Sequence, residues 1–411
     1  MKYINLVHFA CFFLICYGEK DRFDNYRVYN IEVNDDAGLG EFQKLEESSS
    51  RIVFLNEPNI HQPFQILVPP DQLANITELF ERSAVKNEVQ HENFQKLIDE
   101  EQPHDTAYGG HFGWDRYHDL DVIYAWLDEM LQKYSSVLKN HNYGKSVEGR
   151  ALRAVKLSKK EGNPTIFIES TIHAREWITA ATTTYLLNEL LTSTDSEMQH
   201  LANNFDWVIV PVTNVDGYTF THSTNRMWRK NRKAYGKCIG TDLNRNFDYH
   251  HAESGASSNP CADTFAGPKA FSEPETLALS KFVKSIRNIK LYISFHAYSQ
   301  LLLYPFGNTR QNAPNYSHLD GIAKSATEAL SRRFGTKYKY GSIANAIYVA
   351  SGSSIDWAYA TQGVKLAYCF EFRDTGKYGF LLPAEQIIPN SLEVIDALKV
   401  MIKEAKALKY F

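Results

Sequence analysis

Pro164-Thr165-Ile166-Phe167-Ile168-Glu169-Ser170-Thr171-Ile172-His173-Ala174-Arg175-Glu176-Trp177-Ile178-Thr179-Ala180-Ala181 is the stretch on which the reading of this chain turns. Thr165 to Glu169 is short, apolar and rich in β-formers, so a strand is expected. From Trp177 onward, Ala181, Tyr185, Leu187, Leu190 and Leu191 recur at helical spacing. A strand-to-helix connection that carries His173 and Glu176 can aim an imidazole and a carboxylate at one point. That is half of a zinc site; a catalytic zinc needs a third protein ligand and an open position. The H-x-x-E pattern alone is cheap in a chain with 14 histidines. It recurs at His250-His251-Ala252-Glu253, where no strand leads in and a Ser/Gly run follows, and that copy reads as a solvated loop. His296, closing the apolar run from Lys290, is the best candidate for a third ligand.

Around this stretch the chain alternates. Trp207 to Val212, Lys290 to His296 and Val364 to Phe372 read as strands. Glu275 to Val283, Leu319 to Leu330 and Leu392 to Ile402 read as helices. The alternation predicts an α/β/α layered domain with a mixed central sheet, whose ligands gather beyond the C-terminal strand ends. His296 and Glu371 both fall at such ends. Upstream, Tyr26 to Val33, Arg51 to Leu55, Phe64 to Val68 and Ala84 to Val89 read as strands. Leu39 to Leu45 and Leu73 to Phe80 read as helices, with a polar helix near Glu92 to Glu100. The order βαββαβ predicts a small ferredoxin-like α+β unit. A polar Gly/Pro-containing linker, Glu101 to His111, puts the boundary near residue 108.

The 411 residues are 44% hydrophobic and 22% charged, with a formal charge of −4. That balance points to no nucleic acid and no anionic membrane surface. At the N-terminus, Lys2 precedes an apolar run from Ile4 to Cys16 of signal-core length, too short to span a bilayer. Cys16 and Gly18 occupy the −3 and −1 positions for cleavage after Gly18. Residues 1–18 are therefore expected to be a secretory signal peptide. Export suits the remaining cysteines: Cys238 and Cys261 flank a loop-like region and are placed to close it as one disulfide. Cys369, in an apolar strand, reads as a buried free thiol. Asn75-Ile76-Thr77 and Asn315-Tyr316-Ser317 are glycosylation sequons.

Several runs together resemble the pancreatic-type zinc carboxypeptidases: His173-Ala174-Arg175-Glu176-Trp177-Ile178, Asn225-Arg226-Met227-Trp228-Arg229-Lys230, Asp242-Leu243-Asn244-Arg245-Asn246, the stretch from Ser294 to Pro305, Ile347-Tyr348-Val349-Ala350, Ser354-Ile355-Asp356-Trp357 and the stretch from Phe370 to Pro383. They stand in the family's order from His173 to Pro383. The preceding segment is similar to the family's inhibitory pro-segment. Carboxypeptidase A is a standing example of a His₂Glu zinc site.

The resemblance implies residues 19–108 as pro-segment and 109–411 as catalytic domain. It implies one Zn²⁺ per chain, held by His173, Glu176 and His296, with Asp242 orienting the first histidine. It implies Glu371 as general base toward zinc-activated water, and Arg229 as the cation that stabilises the developing oxyanion. Asn244 and Arg245 would receive the substrate's terminal carboxylate, Tyr348 would cap it, and Arg175 would contact the substrate further back. Ile355 stands where the basic-specific members carry an aspartate, and Leu303, Ile343 and Ala350 match apolar pocket positions. An apolar floor cannot pair a buried Lys or Arg. The expectation is a secreted, monomeric zymogen that acts on peptide C-termini with apolar or aromatic end residues. The alternatives are a basic-specific carboxypeptidase and a non-catalytic binding protein on the same fold. Cys369 falls where the family often has a small polar residue, which leaves pocket size open. An activating protease is implied, yet no Lys or Arg lies between Lys96 and Arg116. Either another protease cuts near residues 104 to 113, or cleavage falls at Lys96, or the pro-segment is engaged differently.

Overall fold

Alternation along Phe64-Gln65-Ile66-Leu67-Val68 organises the N-terminal unit, because both faces of this strand are covered. The computed structural model describes residues 20–49, 51–60, 62–83, 85–101 and 112–411. The signal-like run with Cys11 and Cys16, and the boundary near residue 108, lie outside these. The N-terminal unit runs β1 (Arg27–Glu32), α1 (Asp36–Ser48), β2 (Val53–Phe54), β3 (Phe64–Val68), α2 (Leu73–Ser83), β4 (Lys86–His91) and α3 (Phe94–Glu100). Its strands pair antiparallel in the order β2-β3-β1-β4, the expected ferredoxin-like arrangement. Phe64, Ile66 and Val68 pack with Tyr29, Ile31, Phe42, Ile76, Leu79 and Phe80 into a small core. Leu67 and Val28 face the other way and join the main core of the molecule. Period-2 alternation sends successive side chains to opposite faces, so all five residues of β3 are buried.

The larger unit continues with α4 (Leu120–Lys133), β5 (Leu138–Lys145), β6 (Ala151–Leu157), β7 (Thr165–Ser170), α5 (Trp177–Thr192), α6 (Ser196–Asn204), β8 (Asp206–Val210) and α7 (Val215–Ser223). A short hairpin, β9 (Ala234–Tyr235) and β10 (Cys238–Ile239), precedes α8 (Pro274–Ser285). Then come β11 (Ile289–His296), β12 (Leu301–Tyr304), α9 (Tyr316–Phe334), β13 (Lys339–Ser342), α10 (Ile343–Ala346), α11 (Ser354–Ala360), β14 (Leu366–Glu371) and α12 (Ile387–Ala407).

Eight strands form one mixed sheet in the order β13-β12-β14-β11-β7-β8-β6-β5. The central strands β14, β11, β7 and β8 are parallel, and antiparallel pairings flank them. Helices α5 and α9 pack against α12, α8 packs on β5, and α11 packs on β11 and β14. The mixed sheet with flanking helices is as expected, but β5, β6, β12 and β13 go beyond the strands read from sequence. β5 (Leu-Lys-Asn-His-Asn-Tyr-Gly-Lys) is a largely polar edge strand with only Leu138 buried, so it lacks an apolar signature.

Candidate metal centre and substrate cleft

β7, β11 and β14 are adjacent and parallel, so their C-terminal ends open on one side of the sheet. His296 ends β11, Glu371 ends β14, and the two are register partners. Strand spacing alone therefore sets a histidine beside a glutamate. β7 passes into residues 171–176. Asn214 N–H donates to Thr171 O (3.1 Å) and Ala174 N–H donates to Arg229 O (3.0 Å), which pins that connection. Glu176 stands at the N-cap position of α5.

His173, Glu176 and His296 converge, all three buried, with their donor atoms within 4.8 Å of one another. His173 Nδ1 lies 2.8 Å from Glu176 Oε1, and His296 Nδ1 lies 3.2 Å from Glu176 Oε2. Two imidazoles and a carboxylate in one buried cluster are a donor set that suits zinc. His173 turns its Nε2 to Asp242 Oδ1 at 3.1 Å. Arg229 donates to Asp242 Oδ2 from Nε (3.1 Å) and Nη2 (2.7 Å). Burial would raise the Asp242 carboxyl, but Arg229, His173 and Arg245 outweigh it and hold the group well below the usual carboxylate range. Burial pushes Glu371 up to about 8; His296 opposes that and Glu176 adds to it.

Further along the same cleft lie Asn244, Arg245 and Tyr348. Arg245 donates from Nε to Gly255 O (2.9 Å) and from Nη2 to Tyr348 Oη (3.3 Å). Asn244 Oδ1 accepts from Ser354 N–H at 2.9 Å. Leu303, Ile343, Ala350 and Cys369 line the cleft wall. Ile355 is buried in α11 and is not itself a lining residue. The second H-x-x-E pair sits exposed in a turn region: His250 Nδ1 meets Glu253 at 2.7 Å and no third donor joins them among the described residues.

The N-terminal unit covers this cleft. Glu57 Oε1 lies 3.6 Å from Arg245 Nη2. Arg175 Nη2 donates to Phe54 O at 3.3 Å, and Gln62 Nε2 donates to Ala346 O at 2.8 Å. Gln65, the polar residue within β3, accepts from Tyr298 Oη at 2.8 Å and donates to Gly376 O at 3.2 Å. At the end of α3, Glu101 makes a buried ion pair with Arg226 (Nε to Oε2 2.7 Å), and the guanidinium lies over Trp177.

The zinc carboxypeptidase family model matches residues 123–397, and the carboxypeptidase activation peptide model matches residues 29–101. The chain belongs to the zinc carboxypeptidase family. This carboxypeptidase chain is 44% identical over 400 residues to zinc carboxypeptidase A 1 of Anopheles gambiae, covering 96% of this chain and 92% of that one. It is 40% identical over 396 residues to carboxypeptidase A1 of Bos taurus, covering 93% and 94%. In structure it is similar to carboxypeptidase A from Helicoverpa armigera (TM-score 0.84, 28% identity, covering 94% and 98%). It is equally similar to thrombin-activatable fibrinolysis inhibitor (TM-score 0.84, 31% identity, covering 93% and 100%). A zinc carboxypeptidase with its activation peptide in place is a zymogen, and the covered cleft is what that state requires.

Cys238 and Cys261 are bonded, and Cys369 is a buried free thiol, both as expected of this carboxypeptidase. Among the described residues no helix is long and apolar enough to cross a membrane. Sequence reasoning missed two contributors. Arg226 stands in the run Asn225 to Lys230 with no role of its own assigned, yet it is buried against Glu101. Glu169 read as the end of an apolar strand; a carboxylate inside such a run is the one signal that could have drawn notice.

Proposed function

We propose that the matured protein is a secreted exopeptidase that removes apolar or aromatic C-terminal residues from peptides. One observation carries this reading: Asn244, Arg245 and Tyr348 line the same cleft as His173, Glu176, His296 and Glu371. A fixed guanidinium fork beside an amide is a receptor for a carboxylate, and an internal peptide bond offers none. The terminal carboxylate anchored there would set the last peptide bond against the metal end of the cleft.

In this reading His173, Glu176 and His296 hold the metal, and Asp242 fixes the His173 ring. Zinc there supplies Lewis acidity toward a water and the scissile carbonyl. Glu371 takes the proton of the attacking water and returns it to the leaving amine. Its burial makes it a stronger proton acceptor than an exposed glutamate. Arg229, held by two hydrogen bonds to Asp242, presents a fixed cation to the developing oxyanion. Arg175 would contact the substrate further from its end. The apolar wall of Leu303, Ile343 and Ala350 supports the side-chain preference, with Ile355 buried nearby in sequence and no acid among these residues to pair a Lys or Arg.

Residues 1–18 as signal peptide, 19–108 as pro-segment and 109–411 as catalytic domain complete the proposal. The apolar run after Lys2 and the Cys238–Cys261 disulfide support export. The test is hydrolysis of a peptide ending in Phe or Leu against one ending in Arg, before and after chelation. Activity on Phe or Leu that chelation abolishes and zinc restores is expected. A matured, zinc-loaded sample that releases neither residue, or prefers Arg, refutes the reading.

A further inference from the structure

Glu169 is the penultimate residue of β7 and is wholly shielded from water. A carboxylate in such a place is tolerated only where donors surround it. Three hydroxyls from three separate segments do so: Ser294 Oγ at 2.5 Å, Ser354 Oγ at 2.9 Å and Thr213 Oγ1 at 3.3 Å. Two of these hydroxyls lead to the two ends of the cleft.

Ser294 is the register partner of Glu169 across β7 and β11, and it precedes His296 by two residues, on the same face of the strand. Its Oγ lies 2.9 Å from His296 Nε2. His296 Nδ1 faces Glu176 and His173, so it is the metal-side nitrogen. A neutral imidazole then carries its hydrogen on Nε2 and donates it to Ser294 Oγ. The serine hydroxyl must send its own hydrogen onward, and Glu169 Oε1 takes it. The other arm runs through Ser354, whose hydroxyl donates to the same Oε1 and whose backbone N–H donates to Asn244 Oδ1. With that oxygen engaged, the donor end of the Asn244 amide is what remains to meet a carboxylate. Ser354 also opens α11, the helix that carries Ile355.

We propose that Glu169 is a positioning residue that holds the third metal ligand, through Ser294, and the carboxylate receptor, through Ser354, in one fixed register. The spacing between metal and receptor decides which peptide bond is presented, so a single buried anchor common to both keeps that spacing. The proposal rests on the zinc reading of His173, Glu176 and His296.

The test uses Glu169→Gln, Ser294→Ala and Ser354→Ala. Zinc affinity is measured on the full chain by competition with a chromophoric chelator. KM and kcat for a peptide ending in Phe are measured after limited proteolysis of the same preparations. Ser294→Ala and Glu169→Gln are expected to weaken zinc binding roughly 10- to 100-fold. Ser354→Ala is expected to hold zinc within about twofold of wild type while KM rises roughly tenfold at nearly constant kcat, the signature of lost uniform binding. A carboxylate that merely stabilised the sheet would produce no such split between metal affinity and KM. If Glu169→Gln does not fold, the two serine variants carry the test alone. Wild-type protein that binds zinc beside a Ser294→Ala variant that binds it equally well overturns this proposal. So does a Ser354→Ala variant with unchanged KM. Wild-type protein that binds no zinc overturns the zinc reading itself, and this proposal with it.

Discussion

Glu371 and His296 are neighbours because two parallel strands end together, and that adjacency is what a proton-transfer group beside a metal needs. Glu371→Gln keeps the shape and the metal donors but removes the proton acceptor. It should bind zinc as wild type does and lose roughly 100- to 10,000-fold in kcat. Zinc stoichiometry and turnover on one sample check this, and full activity would rule out the general-base role. At this scale much was legible from the chain. His173, Glu176 and His296 were named from spacing, strand context and family resemblance, and the three meet as one buried cluster. Glu169 and Arg226 were not legible. Their roles depend on Ser294, Ser354 and Glu101, more than 100 residues away in sequence.

Elements show where periodicity succeeds and where it fails. β7, β11 and β14 are buried apolar runs and stand out in sequence. β5 is polar and at the sheet edge, where pairing alone makes it a strand. Two local devices carry predictions. The disulfide Cys238–Cys261 spans a sequence separation of 23 residues next to Asp263 and Thr264, which line the cleft. Replacing both cysteines by serine should lower stability by about 3 kcal/mol through loss of the loop constraint. That would be seen as a lower urea midpoint at similar slope.

In α11, Asp356 accepts N–H bonds from Gly307 (2.8 Å) and Asn308 (3.2 Å), which ties that loop to the helix. Burial raises its carboxyl from 3.8 to about 7, against the pull of those two bonds. The folded state thus keeps a proton that the unfolded chain releases near pH 4. This contribution to stability is full below pH 4 and is lost as pH rises to about 7. Asp356→Asn should abolish that decline, gaining on wild type across this window by at most about 4 kcal/mol. Thermal midpoints of the two proteins from pH 4 to pH 8 check it; a constant difference across the range would count against it.

The whole molecule is a cleft and its cover. The N-terminal unit meets the larger unit through polar contacts from Glu57, Gln62 and Gln65, and its Val28 and Leu67 join the main core. Glu57 sits 3.6 Å from Arg245, where a substrate carboxylate is proposed to dock. It is partly solvated, so the pair is expected to contribute about 1 kcal/mol. Glu57→Ala should loosen the cover and raise basal hydrolysis of a small Phe-terminated substrate by the uncleaved chain roughly fivefold. Unchanged basal activity would show that the cover does not depend on this pair.

By itself the sequence determined the layered α/β class, the ferredoxin-like order of the N-terminal unit, the disulfide pairing and the set of metal donors. These follow from local periodicity, cysteine context and motifs that travel as intact runs. Only the tertiary structure decided that Glu57 faces Arg245, that Arg226 is buried on Glu101, and that Glu169 joins both ends of the cleft. Each of those is a contact between charged or polar groups from distant segments. Burial creates the demand for a partner, but only the folded chain determines which partner meets it.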